Sequence, residues 1–164
     1  MTDLSNETII HQKKNGIEFL QFRKLLQYKE LVHCYTLKIN NFDIAGNDTY
    51  KQKEKLLYLN FKKIAKALTI DVETILRPYQ THTNIVKKVD KKEKGISIFP
   101  KELENVDGLI TNKKNITFSL GFADCTPIYL YDPIKKVIRK YTFWLERNIT
   151  KNWKSSSKKN DRRI

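Results

Sequence analysis

Apolar residues fall in short strand-like runs along most of this chain and take a helical period in one long stretch. Between about 49 and 69, Leu57, Phe61, Ile64, Ala65 and Leu68 recur at i, i+4, i+7, i+8 and i+11, the spacing of one helix face. Lys51, Lys53, Lys55, Lys62, Lys63 and Lys66 lie in or beside water, and Asp48 or Thr49 is placed to cap the first turn. A shorter helix is expected at 71–75. Strand formers concentrate at 17–23 and 30–38, then at 76–80, 84–89, 107–111, 115–123 and 127–131. Residues 87–94 read as a solvated charged loop or hairpin tip. Asp132-Pro133 marks a turn, and 134–138 starts a further strand. This order predicts an α+β fold: a mixed sheet flanked by helices, incomplete at the C-terminus, with 49–69 the longest helix of the N-terminal half. No internal repeat and no linker break residues 1–138, so they are expected to form one domain.

Charge changes the picture at one end. The 164 residues carry a formal +14. Residues 139–164 hold nine basic side chains against two acidic ones, half of that excess. Such a tail can neutralise phosphates, and a non-catalytic protein that binds nucleic acid through 139–164 is the alternative functional reading. Its aromatics, Tyr141, Phe143, Trp144 and Trp153, show no regular spacing, and a solvated, disordered end is the simpler expectation. The two cysteines, Cys34 and Cys125, are too few for a disulfide framework and fit a reducing compartment. Residues 1–15 contain no apolar run of the signal-peptide kind. No window approaches the ~20 apolar residues that span a bilayer. A soluble, cytoplasmic protein without a membrane partner is expected.

Candidate chemistry lies in two words, Gln80-Thr81-His82 and Ala123-Asp124-Cys125-Thr126-Pro127. His82 follows a strand-like run, and Cys125 ends another. Together they offer an imidazole and a thiolate, donors that zinc favours, but a catalytic zinc usually takes three protein ligands and keeps one position open. Taken singly, a histidine is more often a hydrogen-bonding structural residue and a buried cysteine more often a small hydrophobe. Spacing alone does not decide between these.

The order of words adds to that. Gln80-Thr81-His82-Thr83-Asn84-Ile85-Val86, then Val106-Asp107-Gly108-Leu109-Ile110-Thr111, then Phe122-Ala123-Asp124-Cys125-Thr126-Pro127-Ile128 resembles the polyphenol-oxidase or laccase-domain family. The resemblance covers roughly residues 16–138. It implies a zinc-dependent purine nucleoside phosphorylase with adenosine deaminase activity, acting on purine nucleosides and phosphate. It implies His82 and Cys125 as metal ligands. It gives Asp124 a catalytic, ligand-orienting role beside them. Asp107 is a second candidate for orienting ligands or backbone, with turn capping as the equal alternative. Lys38 stands where the family usually has arginine, and Asn60 opens an Asn-Arg word whose second residue here is Phe61; both are candidate substrate-binding residues. His33 and Cys34 are expected to pack. A multicopper phenol oxidase, as the family's older name suggests, does not suit a chain with so few histidines.

The family's fourth word, a histidine followed by Gly-Trp-Arg/Lys-Gly, is absent. Arg139 to Thr150 stand there instead. Back-translated with suitable synonymous codons and read one base later, they give Gly-Asn-Thr-His-Ser-Gly-Trp-Lys-Gly-Thr-Leu. Trp144 followed by any leucine codon forces a glycine in that frame. One extra base near codon 139 therefore accounts for the missing word and for the basic composition of 139–164. It also accounts for a chain shorter than is usual in the family. It puts Thr142 where the third ligand, a histidine, belongs, and implies a defective copy that holds zinc weakly.

Overall fold

Asn15 and Gly16 both take positive φ, 53° and 73°, as a two-residue turn of type I′ requires. They close a hairpin between β1 (Ile9–Lys14) and β2 (Ile17–Phe22), with Lys14 paired to Ile17. The computed structural model describes residues 2–37, 50–90, 103–122 and 125–143. They divide into two compact units at Val72 and Glu73.

In the first unit, β3 (Tyr35–Thr36) pairs antiparallel with β2, so only two of the described residues of the strand expected at 30–38 join the sheet. A single helical turn, α1 (Arg23–Leu26), follows β2. Helix α2 (Tyr50–Leu68) matches the expected 49–69 within a residue at each end. Its stripe is buried as the period predicts: Leu57, Phe61, Ile64 and Ala65 are each at most 4% exposed, while Lys55, Lys62, Lys63 and Lys66 face water. The proposed caps Asp48 and Thr49 lie outside the described residues.

His33 is buried and stacks on Phe22, with ring centroids 5.9 Å apart. Its Nε2 accepts the Phe22 N–H at 2.8 Å, so a neutral ring carries its proton on Nδ1, which has no hydrogen-bond partner. Burial holds this imidazole below its usual 6.5, because the charged form loses its hydration. The unfolded chain then takes up the proton first as pH falls. Stability from His33 is complete above about 6.5 and is lost as pH drops below it. The urea midpoint of the chain is expected to fall between pH 7 and pH 5, and less steeply in His33→Gln, which keeps an acceptor for Phe22 but cannot titrate.

The second unit opens with a 3-10 turn (Val72–Thr74) that straddles the division, in place of the short helix expected at 71–75. Strand β4 (Ile75–Leu76) pairs parallel with β7 (Thr117–Phe118). Four strands form the larger sheet in the order β5 (Val86–Lys88), β6 (Gly108–Thr111), β9 (Val137–Phe143) and β8 (Thr126–Asp132). β5 and β6 are parallel and the other pairs antiparallel. Leu76, Val89, Leu103, Val106, Leu109, Ile116 and Leu120 form one buried cluster. Asp132 Oδ1 accepts the N–H groups of Ile134 and Lys135, both at 2.9 Å, which makes the turn between β8 and β9 at the expected place. The expected α+β class with a mixed sheet is what the chain forms.

Strand β9 corrects one expectation. Residues 139–143, read as the start of a disordered tail, all pair with β8, and 139–141 also pair with β6 on the other side. Backbone pairing tolerates many side chains, and a strand with partners on both sides keeps its ladder. Residues 144–164, like 91–94 of the expected charged loop, lie outside the described residues. Among the described residues no helix is long and apolar enough to cross a membrane.

Candidate functional site

The register of the larger sheet gathers the candidate residues of this unit at one end. Val86 of β5 is level with Gly108 of β6, Gly108 with Tyr141 of β9, and Tyr141 with Ile128 of β8. Strands β5, β6 and β8 therefore start, and β9 ends, along the same edge. His82 lies four residues before β5, Asp107 one before β6, Cys125 one before β8, and Thr142 is the penultimate residue of β9.

Asp107 organises the His82 loop. Its carboxylate is buried. Oδ1 accepts the His82 N–H at 3.0 Å, and Oδ2 accepts Thr83 N–H at 2.8 Å, Thr83 Oγ1–H at 2.7 Å and Thr81 N–H at 3.3 Å. Asn105 adds bonds to the hydroxyls of Thr81 and Thr83, each 2.9 Å. His82 itself is held at φ 61°. That left-handed conformation costs a residue with a Cβ about 1 kcal/mol, though histidine visits it more readily than most. Three successive N–H groups converging on one carboxylate offset that cost and present the imidazole to solvent. Of the two roles considered for Asp107, the bonds present are those of turn capping, on the turn that carries His82.

Thr142 adjoins this loop. Its N–H donates to the Asp107 carbonyl at 3.2 Å, and its Oγ1 accepts from Gln80 Nε2 at 3.3 Å. Cys125 is half-buried and forms no disulfide. Asp124 and Lys38 lie outside the described residues. Asn60 belongs to the first unit, buried on α2 beside the Leu57 and Phe61 positions. Among the described residues no three His, Cys, Asp or Glu side chains are grouped to hold a metal. Gln80 is the residue that sequence reasoning passed over. It stood in a quoted word, but nothing in the spacing signalled the bonds its amide makes.

Residues 38–140 match the family described as multi-copper polyphenol oxidoreductase laccase, which is more than half of the chain. The chain belongs to that family. The purine nucleoside phosphorylase YlmD of Bacillus subtilis is 37% identical over 81 residues, 48% of this chain and 29% of that protein. The adenosine deaminase RL5, from an unknown prokaryotic organism, is 32% identical over 96 residues, 57% of this chain and 35% of that one. The solved YlmD of Geobacillus stearothermophilus is 26% identical with a TM-score of 0.51, covering 56% of this chain and 34% of its own. The hypothetical protein YfiH of Bacillus licheniformis shares the fold, with a TM-score of 0.56 at 22% identity over 85% of this chain and 51% of its own. The chain spans about a third of the length of the first two relatives.

The laccase-family description names copper, and the donors here do not fit a multicopper cluster. The chain has three histidines. His11 Nε2 lies 3.1 Å from Glu18 and its Nδ1 accepts the Leu4 N–H, while His33 Nε2 is taken by Phe22. Only His82 stands at the sheet end, with one cysteine. Two soft donors are also one short of the three that a catalytic centre ordinarily takes.

Proposed function

We propose that this chain is a defective copy of a purine nucleoside phosphorylase with adenosine deaminase activity, a protein of the cytoplasm. Its site would use His82, Cys125 and a histidine at position 142. Zinc held by two imidazoles and a thiolate supplies a Lewis acid and an activated water at an open position; with Thr142 in place of the third donor, this copy lacks that centre. The observation that carries the reading is the pairing of Thr142 with Asp107. The position where the one-base shift puts a histidine adjoins the loop that Asp107 builds around His82. The names of the relatives support the reaction class. Asp124 beside Cys125 would orient that ligand. Lys38 and Asn60 are proposed substrate contacts.

The side chains of β9 support the frame reading. Val137, Arg139 and Tyr141 alternate on one buried face. Burial lowers the affinity of the Arg139 guanidinium for its proton, and the cation lies 5.2 Å from the Tyr141 ring. The Tyr141 hydroxyl is buried with no hydrogen-bond partner, and burial pushes its pKa up. A desolvated cation and an orphaned hydroxyl are both costly in a strand. The frame one base later gives glycine at 139 and threonine at 141, smaller residues free of a buried charge.

The test compares the chain with the product of a gene from which one base near codon 139 is deleted and the restored frame extended. The repaired protein is expected to bind zinc stoichiometrically and to cleave inosine in phosphate buffer, and the chain as written to do neither. Equal inosine cleavage by the two would show that residues 139–164 are a working part of the enzyme and would end this reading.

A further inference from the structure

Gln80 makes more side-chain bonds between separate segments than its place in the sequence suggests. Its amide lies along the backbone of Gly121: Nε2 donates to the Gly121 carbonyl at 3.0 Å, and Oε1 accepts the Gly121 N–H at 2.7 Å. The same Nε2 donates to Thr142 Oγ1 at 3.3 Å. Gly121 ends the run after β7 and lies four residues before Cys125. Thr142 is on β9. Gln80 itself is two residues before His82. One amide thus joins the segments that carry positions 82, 125 and 142. None of these joints is a ladder bond of the sheet. Among the described residues β7 pairs only with β4, and β8 meets β9 only from Thr126 onward. A Cβ at Gly121 would stand 2.5 Å from Arg77 Nη2 but an ordinary 3.7 Å from Gln80 Oε1, so the glycine leaves room for the buried Arg77 side chain next to this joint.

We infer that Gln80 is a positioning residue: its amide holds the Cys125 segment in place against the His82 loop and the end of β9. The chemistry favours glutamine there. A backbone N–H and C=O on one residue need a side chain with one acceptor and one donor in a plane, and a primary amide is such a group. Glutamate offers only acceptors and meets the Gly121 carbonyl without a hydrogen. Alanine leaves both Gly121 groups half-buried and unmatched. The importance of these segments as a site rests on the function proposed above, but the mechanical role of Gln80 does not need a metal.

The test is done on the full chain without metal, and the two cysteines report separately. Cys125 lies downstream of the Gly121 joint, whereas Cys34 belongs to the other unit. Alkylation rates of both thiols are measured by mass spectrometry in the unsubstituted chain, in Gln80→Ala and in Gln80→Glu. Gln80→Ala is expected to speed Cys125 alkylation about tenfold, the effect of easier local opening once two hydrogen bonds are gone, with Cys34 unchanged. Gln80→Glu is expected to give a smaller rise at Cys125 alone, since Oε1 can still accept from Gly121. Hydrogen exchange should quicken in peptides covering 81–83 and 119–122 and stay constant over 9–22. An unchanged Cys125 rate in both variants, or an equal rise at both thiols, would overturn the inference. The second pattern means general loosening and not positioning. If Gln80→Ala fails to fold, Gln80→Glu is judged by the same two criteria. A Cys125-specific effect in a chain whose frame-repaired form binds no zinc would retire the zinc reading and leave Gln80 in its role.

Discussion

Thr142→His alone is expected to turn a chain that loses zinc on dialysis into one that retains about one ion, with an affinity about 100-fold higher. The estimate follows from donor count. Structural zinc sites bind with roughly 10–16 kcal/mol across four donors, so each contributes on the order of 3 kcal/mol, or about two powers of ten. A threonine hydroxyl is not among the donors zinc ordinarily keeps, whereas an imidazole is. The backbone around position 142 is already placed by Asp107 on one side and Pro127 on the other. The substitution removes only the long Gln80 bond to the hydroxyl. Competition with a chelator of known affinity measures the gain. His82→Ala and Cys125→Ala, each combined with Thr142→His, should cancel it. An affinity that does not move, or that moves equally when Cys125 is alanine, would show that these positions do not share an ion.

Some of this was legible in the residues and some was not, for physical reasons. Helix α2 was legible because five apolar positions repeat at a period only a helix satisfies, and burial of Leu57, Phe61, Ile64 and Ala65 follows from it. The hairpin at Asn15-Gly16 was not read from the sequence, although that dipeptide is a strong turn signal, because the run Ile9–Lys14 alternates poorly and ends in two lysines. Strands β3, β4 and β7 fall in or beside the runs expected at 30–38, 76–80 and 115–123, but their two-residue extent is set by which backbone lies alongside them. Strand β9 shows the same limit from the other side. Its composition argued for disorder beyond Ile138, yet the ladder to β6 runs to Tyr141 and that to β8 to Phe143. At the site, the motif words placed His82, Cys125 and Asp107, and the register set them at one sheet edge. The Gln80 bonds joining residues 41 and 62 positions away depend on side-chain geometry and leave no trace in spacing.

Asp107→Ala is expected to destabilise the chain by about 3 kcal/mol, the largest loss from any single polar substitution at this edge. The carboxylate is buried and takes three backbone N–H groups and one hydroxyl from Thr81, His82 and Thr83. Bonds to a charged acceptor are worth about 1.5–3 kcal/mol each in isolation, and removing the acceptor strands donors that must find water or stay unpaired. The loop can re-expose some of them, since Thr81 and His82 are near solvent, so the loss is well below the sum. His82, held at φ 61°, should relax toward the ordinary helical or extended region once the carboxylate releases its N–H. Asp107→Asn should restore little, because one oxygen becomes an NH2 group aimed at other N–H donors. Urea unfolding at neutral pH measures the stability change. The Thr142→His chain carrying Asp107→Asn should also lose most of its zinc, since the imidazole of His82 is no longer held at the edge. A stability loss below about 0.5 kcal/mol for Asp107→Ala, the size expected of an ordinary surface change, would mean that the loop is held by the Asn105 bonds instead and that Asp107 does not set the position of His82.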